Sequence, residues 1–329
     1  VAVPIENETI DVAAEVAGAV APSGDGDVAR HTARTRANDV LTTLSPYRCG
    51  RWDPTTRVDG TPQAGEMWRT TFTPCGTGTL RLRWHGGTFD AQAWGDGADW
   101  LLASVPALTG QLDRPVEITT GHPAVLRAQH RLPGLRLGAS GTLYHDLLPV
   151  IIAQRITGGE AVQQWCRLVR ELGERAPGPN PELRTPPPPA SLLGRPAWWY
   201  HRLGIEAKRA ETLRTVGRHA GRITEWASLE PVACATKLAL LPGIGQWTIG
   251  SVLGPSLGDP DSFAIGDFHL KHVVSNTLAG EPRGTDERMV ELLEPYRGQR
   301  GRVVRMLLLD GNRSPKFGPR KRILPMRQW

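Results

Sequence analysis

The residues best placed to do chemistry lie close together in the chain. Leu241-Pro242-Gly243-Ile244-Gly245 runs into Gln246-Trp247, and Gly266-Asp267 follows about twenty residues later. Apolar residues at helical spacing precede Pro242 and resume after Gly245, so the pentapeptide reads as a tight turn between two helices. Gly243 and Gly245 permit backbone angles closed to other residues and keep the turn free of side chains. The amides that open the second helix then point outward and suit a phosphate oxygen, while Ile244 tucks inward to hold the turn. Asp267 opens a further helix. An aspartate there is either a solvent-facing N-cap or a fixed negative charge, carried back across the hairpin helix by the loop Asp259-Pro260-Asp261-Ser262-Phe263-Ala264-Ile265.

These residues need a large framework, and the composition supplies one. The chain has 329 residues, which suits two or three packed domains, and 40% of them are apolar, with 11 Trp. Lys and Arg number 39 against 33 Asp and Glu, for a net charge of +6, and the pI is near 9.4. The charge is uneven. Residues 1–30 hold six acids and one base, so the remainder carries 38 bases against 27 acids, and from Arg297 onward ten bases face Asp310 alone. Such an excess at one end suits a polyanionic partner or an anionic membrane surface. No apolar run approaches bilayer length, and the acidic start lacks a secretory-signal pattern, so a soluble, intracellular protein is expected. Cys49, Cys75, Cys166 and Cys234 are far apart with no CxxC pair, which argues against a sequence-local zinc or iron–sulfur site and against a disulfide framework.

The expected class is α+β, a mostly helical domain preceded by a small antiparallel-sheet domain. Residues 1–36 read as a flexible acidic leader. From about Val40 the texture becomes that of a sheet. Residues 67–72 and 79–84 alternate with period two around the turn-rich 74–78, 89–94 adds a strand, and 98–108 reads as a short helix. The N-terminal α+β domain is therefore placed at 37–134. Helical patterns follow at 142–153, 159–172, 207–219, 231–241, 245–257, 268–279, 286–296 and 300–309, with a Pro-rich linker at 177–189. The helical domain spans 135–310 and a basic tail 311–329.

The hairpin LPGIG, then Gln246-Trp247-Thr248, then the loop 258–267 ending in an aspartate, resembles the helix-hairpin-helix DNA glycosylase superfamily, in its 3-methyladenine DNA glycosylase II branch. Leu203-Gly204-Ile205-Glu206-Ala207-Lys208-Arg209-Ala210 is similar to a short helix start of that family, and the likeness is strongest over 203–271. The resemblance implies that Asp267 is the catalytic carboxylate. It implies that Leu241, Gly243, Ile244 and Gly245 meet a DNA phosphate, with a monovalent cation nearby and no other cofactor. Trp247 falls where lyase-competent relatives keep a lysine; an indole forms no Schiff base, so a monofunctional enzyme is implied, with Trp247 and Ser251 in the base pocket. Ser251 departs from the larger aromatic that relatives carry. Gln154 and Arg155 occupy the family's wedge loop, where an apolar plug is also known.

The partner implied is double-stranded DNA containing damaged bases, bound by a monomer and away from membranes, in the cytoplasm or nucleoid if the source is bacterial. The basic tail would add salt-sensitive, nonspecific DNA affinity. Breaking a base–sugar bond develops positive charge on the sugar, and one carboxylate suffices when the leaving base is already cationic, as 3-methyladenine is. A bifunctional glycosylase/lyase using an amine such as Lys271, and a non-catalytic lesion-binding hairpin protein, are the competing readings. His269 and His272 are expected on the helix surface or at DNA phosphate, and Trp198-Trp199-Tyr200 either line the pocket or pack beneath the Lys208 helix.

Overall fold

The computed structural model describes residues 29–34 and 39–315. Most of the expected leader and the basic tail from residue 316 lie outside the described residues. Within the leader span, Ala29–Arg34 forms a strand, β1, because β5 offers it an open edge. The sheet continues with β2 (Thr56–Gly60), β3 (Ala64–Thr73), β4 (Gly76–His85) and β5 (Thr88–Trp94), all antiparallel in the order β1-β5-β4-β3-β2. Residues 40–44, expected as sheet, are instead a helical turn, α1 (Val40–Leu44), because Asp39 caps it by accepting the Thr42 N–H at 2.9 Å. Helix α2 (Ala98–Leu108) has the expected bounds and lays Leu101, Leu102 and Val105 on Leu80, Leu82, Phe89, Ala91 and Ala93. On the other face Trp68 stacks on Trp94 with centroids 5.5 Å apart, and Arg81 covers Trp68. The alternation that marked these strands thus records a sheet buried on one side.

The helical part comprises α3 (Pro123–Arg131), α4 (Leu143–Ala153), α5 (Gly158–Leu172), α6 (Pro189–Leu193), α7 (Ala207–Arg218), α8 (Ala220–Trp226), α9 (Pro231–Leu238), α10 (Gln246–Leu257), α11 (Leu270–Ala279), α12 (Asp286–Leu293) and α13 (Arg300–Leu309). It has two cores. Helices α4, α5, α7 and α10 enclose Leu147, Ile151, Trp165, Leu213 and Val252, whereas α3 packs with α11–α13 around Val125, Val274, Met289 and Val303. Residues 123–131 therefore join the C-terminal helices, although the sequence places them with the sheet domain. The Pro-rich segment is a packed strap. Arg184 N–H donates to the Pro54 carbonyl at 2.9 Å, and Tyr144 OH donates to the Pro187 carbonyl at 2.7 Å. Among the described residues no helix is long and apolar enough to cross a membrane.

Helix α4 joins the parts. Its Asp146 pairs with Arg69 of β3 at 2.7 Å, with the two side chains 9% and 3% exposed, and also accepts hydrogen bonds from Ser140 and from Ser256 at the end of α10. The preceding residue, His145, lies between the hydroxyls of Thr55 and Thr71, and burial followed by the Arg69 charge holds its imidazole well below the ordinary histidine range. A neutral ring, donating at one nitrogen and accepting at the other, fits two hydroxyls. Removing one partner of a buried ion pair strands the other charge, so Arg69→Met is expected to cost about 3–5 kcal/mol in urea unfolding, with Asp146→Leu in the same chain recovering part of it.

Candidate active site

The turn 239–245 between α9 and α10 is held from below by Leu241 and Ile244, both in the α4–α10 core, and the Ile244 N–H donates to the Leu241 carbonyl at 3.0 Å. Its glycines differ. Gly243 has φ +88°, and a Cβ there would meet Thr212 Oγ1 at 2.0 Å. Gly245 is extended (φ −108°, ψ −179°), a conformation open to any residue, and a Cβ there would meet nothing within 4 Å. The expectation that both glycines need special angles therefore holds for Gly243 alone; Gly245 instead leaves open space before the start of α10. No side chain caps α10, so its first amides lack intrahelical acceptors, the kind of helix start that can take an anion.

Gln154 braces this turn, its side-chain amide donating to the Gly243 carbonyl and to Thr248 Oγ1, both at 3.0 Å. The next residue, Arg155, is exposed with φ +60°, the only positive φ outside glycine among the described residues. Such a conformation costs about 1–3 kcal/mol and gathers at functional sites.

From α10 the chain turns back through 258–269 and places Asp267 beside Trp247. Asp267 Oδ1 accepts the N–H groups of His269 and Leu270 at 2.9 and 2.8 Å, and Oδ2 accepts the Trp247 indole N–H at 3.2 Å. Helix α11 starts at Leu270 with His269 at its N-cap, two residues later than expected, and Asp267 lies in the turn that leads into it. The returning loop is gripped from both sides. A Cβ on Gly250 of α10 would lie 2.0 Å from the Phe263 carbonyl oxygen, and one on Gly301 of α13 would lie 2.2 Å from that of Ser262. Asp261 pins the loop by accepting the N–H groups of Gly298 and Arg300 at 2.7 and 3.0 Å and pairing with the Arg300 guanidinium. Burial pushes the Asp261 carboxyl up, but the Arg300 hydrogen bonds and charge outweigh it and hold the group below its ordinary value.

Between α10, α11 and α13 lies a cavity of about 310 Å³. Asp267 and His269 stand at its polar side, and Gly250, Phe263, Val273, Gly301, Val304 and Leu308 make up most of the remainder. Trp247 and Ser251 are not among its walls. The Ser251 hydroxyl turns onto the Trp247 carbonyl at 2.6 Å, within its own helix.

The same arrangement of sheet, helices and hairpin recurs in solved structures. The chain is similar to the 3-methyladenine DNA-glycosylase from Archaeoglobus fulgidus, with a TM-score of 0.68 at 15% identity, over 85% of this chain and 98% of that one. It is also similar to the 8-oxoguanine glycosylase/lyase from Clostridium acetobutylicum in complex with double-stranded DNA, with a TM-score of 0.62 at 12% identity, over 88% and 96%. The chain has the fold of the helix-hairpin-helix DNA glycosylases. Neither a family model nor a curated protein sequence matches it.

Within this glycosylase fold the hairpin, Asp267, Trp247 and the Gln154–Arg155 loop come together, through the bonds above. Lys271 does not join them as a free amine, because its ammonium pairs with Asp286 at 3.2 Å, and Asp286 also accepts the Gly266 N–H. His272 Nδ1 accepts the Gly284 N–H at 3.1 Å and so holds a turn. Tyr200 is fully buried with its OH on the Leu192 carbonyl, Trp199 lies against the Arg195 and Arg202 guanidinium groups, and Trp198 is exposed. Cys166 and Cys234 are buried and Cys75 is exposed, and among the described residues no three His, Cys, Asp or Glu side chains converge as metal ligands.

Sequence reasoning passed over Phe268, 74% exposed beside Asp267 with its ring edge-to-face with His269; a large apolar residue next to a helix cap was the available signal. It also passed over Gly250 and Gly301, whose function is closeness to a distant loop. Gly243→Ala and Gly250→Ala are each expected to lower unfolding free energy by about 1–3 kcal/mol. Gly245→Ser, a good N-cap in open space, is expected to leave stability unchanged or slightly raised. Denaturant melts of the three variants check this contrast.

Proposed function

We propose that this protein is a monofunctional DNA glycosylase that flips damaged nucleotides out of duplex DNA and hydrolyses the N-glycosidic bond of alkylated purines such as 3-methyladenine. The observation that carries the reading is the Asp267 carboxylate, fixed at the edge of an apolar cavity and next to the exposed glycine hairpin. The α10 amides and the open space at Gly245 take a phosphate of the lesion strand. The extruded base enters the cavity, and Trp247, tethered edge-on to Asp267, brings an aromatic surface to the reacting centre.

As the C–N bond lengthens, positive charge grows on the deoxyribose, and the adjacent carboxylate stabilises it. The base leaves with the bonding electrons and becomes neutral, because it began as a cation. Water adds to the sugar carbon and loses a proton. No protein amine takes part, since Trp247 has none and Lys271 is engaged by Asp286. That pairing favours hydrolysis over a lyase route. If a monovalent cation accompanies the hairpin, the Leu241 and Gly243 carbonyls are the hard oxygen donors that would hold it. Each accepts one hydrogen bond and keeps a second lone pair, and the ion would add positive charge facing the phosphate.

Arg155 is the proposed plug for the gap left by the flipped nucleotide. Gln154 is committed to the hairpin, whereas Arg155, held in a left-handed backbone conformation, is exposed.

Incubation with methylated duplex DNA followed by chromatography of the bases tests the reading. The wild type is expected to release 3-methyladenine and to give no covalent adduct on borohydride treatment, whereas Asp267→Asn abolishes release and keeps lesion-DNA affinity within a few-fold. Release by Asp267→Asn at the wild-type rate would refute the assignment; a wild type that binds lesions without release would make this a binding protein. Flipping costs a few kcal/mol in a duplex and little in a single strand. Arg155→Ala is therefore expected to slow excision about tenfold on duplex DNA and to leave single-stranded substrate nearly unaffected, as single-turnover rates would reveal.

A further inference from the structure

We infer that Trp247 is a positioning residue for Asp267: its indole N–H, delivered from α10, fixes the carboxylate whose other oxygen is held at the start of α11, and keeps it aimed at the cavity. This inference rests on the reading of Asp267 as the catalytic carboxylate, but the contact on which it stands does not.

The geometry is specific. Rotation of a carboxylate about its Cβ–Cγ bond is broad and poorly restrained in general. Here Oδ1 is fixed by the His269 and Leu270 amides at 2.9 and 2.8 Å, and Oδ2 is held by the indole at 3.2 Å. The donors come from two helices that are separate in sequence, so the carboxylate is clamped across the junction between them. All three are N–H groups, which bond best to the charged form of the acid. An ordinary helix cap needs only the α11 amides; the indole is additional, and its ring edge faces the oxygen that the cap leaves over.

The charged groups packed around Asp267 are otherwise committed. On the α11 side Lys271 pairs with Asp286 and His272 accepts the Gly284 N–H, while His269 is exposed. On the α13 side Arg300 pairs with Asp261, and Arg302 and Arg305 of that helix donate to Asp113 and to the Thr42 carbonyl. Helix α10, whose sequence is QWTIGSVLGPSL, contributes no titratable group. The indole is therefore the one donor from α10 to this carboxylate among the described residues. Without it Oδ2 is free to turn.

Trp247→Phe keeps an aromatic ring and removes the N–H, which makes it the discriminating variant. In full-length protein labelled with carbon-13 at the aspartate carboxyl, the Asp267 resonance is identified by its loss in Asp267→Asn. Its chemical shift at neutral pH is expected to move in Trp247→Phe, since a hydrogen bond lost from one oxygen changes the shielding of the carboxyl carbon. In excision assays the single-turnover plateau is expected to fall about tenfold, with lesion-DNA affinity within a few-fold. A carboxyl resonance and a plateau that coincide with wild type in Trp247→Phe, shown by its melt to be folded, would overturn the inference. If the wild type releases no alkylated purine, the glycosylase reading fails, and the resonance still decides the Trp247 contact.

Discussion

The backbone passes between α10 and α13 with no side chain to separate them from it, and the site depends on that closeness. The carbonyls of Phe263 and Ser262 occupy the positions that side chains on Gly250 and Gly301 would need. Glycine at these two positions lets the loop run flush against both helices, so the chain emerges with Asp267 within hydrogen-bond reach of Trp247, less than one helical turn of α10 from Gly250. Any side chain there pushes the loop outward, and a carboxylate displaced by an ångström no longer faces the same atoms. The Asp261–Arg300 pair adds a polar fastening to this steric one, and because it is partly buried it resists screening better than a surface pair would.

Helix α10 gathers the separate functions onto one rigid rod. Its uncapped N-terminus presents amides to solvent, its first turn carries Trp247, its second accepts the returning loop at Gly250, and its last turn sends the Ser256 hydroxyl to Asp146 at 2.7 Å. Through Asp146 the same rod is anchored to Arg69 and hence to the sheet. A buried ion pair is a weak source of net stability, because desolvation offsets most of its attraction. Its value here is geometric: Asp146 has partners on β3, on the approach to α4 and on α10, and only one docking of sheet on helices satisfies all of them. A sheet domain held this way fixes one end of the rod whose other end carries Trp247 and its bond to Asp267.

Much of this was legible in the sequence, and the rest was hidden for physical reasons. Helices α2 and α13 have the expected bounds, and the hairpin, β3–β5 and the helix headed by Asp267 are where their periodicity and turn residues place them. Such signals are local. Helix α1 escaped because five residues carry too little periodicity and its definition comes from the Asp39 cap; β2, also of five residues, went unmarked for the same want of length. The allegiance of α3 to α13, the packing of the Pro-rich strap, and the glycines that approach distant carbonyls are tertiary facts with no sequence period. Gly243 and Gly245 look alike in the sequence, yet one is needed for its φ and the other for the space it leaves. Trp247 was legible as an aromatic beside the hairpin, but which part of its ring is used depends on where Asp267 arrives.

A cavity of this kind also constrains what the proposed glycosylase can select. Its walls are mainly apolar side chains and glycine, with Ser262, Asp267 and His269 as its polar residues, and an apolar pocket separates similar ligands by only about 1–3 kcal/mol. Strong discrimination between bases by hydrogen-bond readout needs fixed donors and acceptors around the ring edge, and this lining offers few. Selection then falls on chemistry and not on fit. A lone carboxylate without a partner acid can lower the barrier by stabilising the sugar cation, but it supplies no proton to a neutral leaving base. Bases that already carry positive charge need none. Under the proposed reading, the same feature that makes such lesions labile in free DNA makes them the ones that a single well-held carboxylate can remove, while normal purines stay attached.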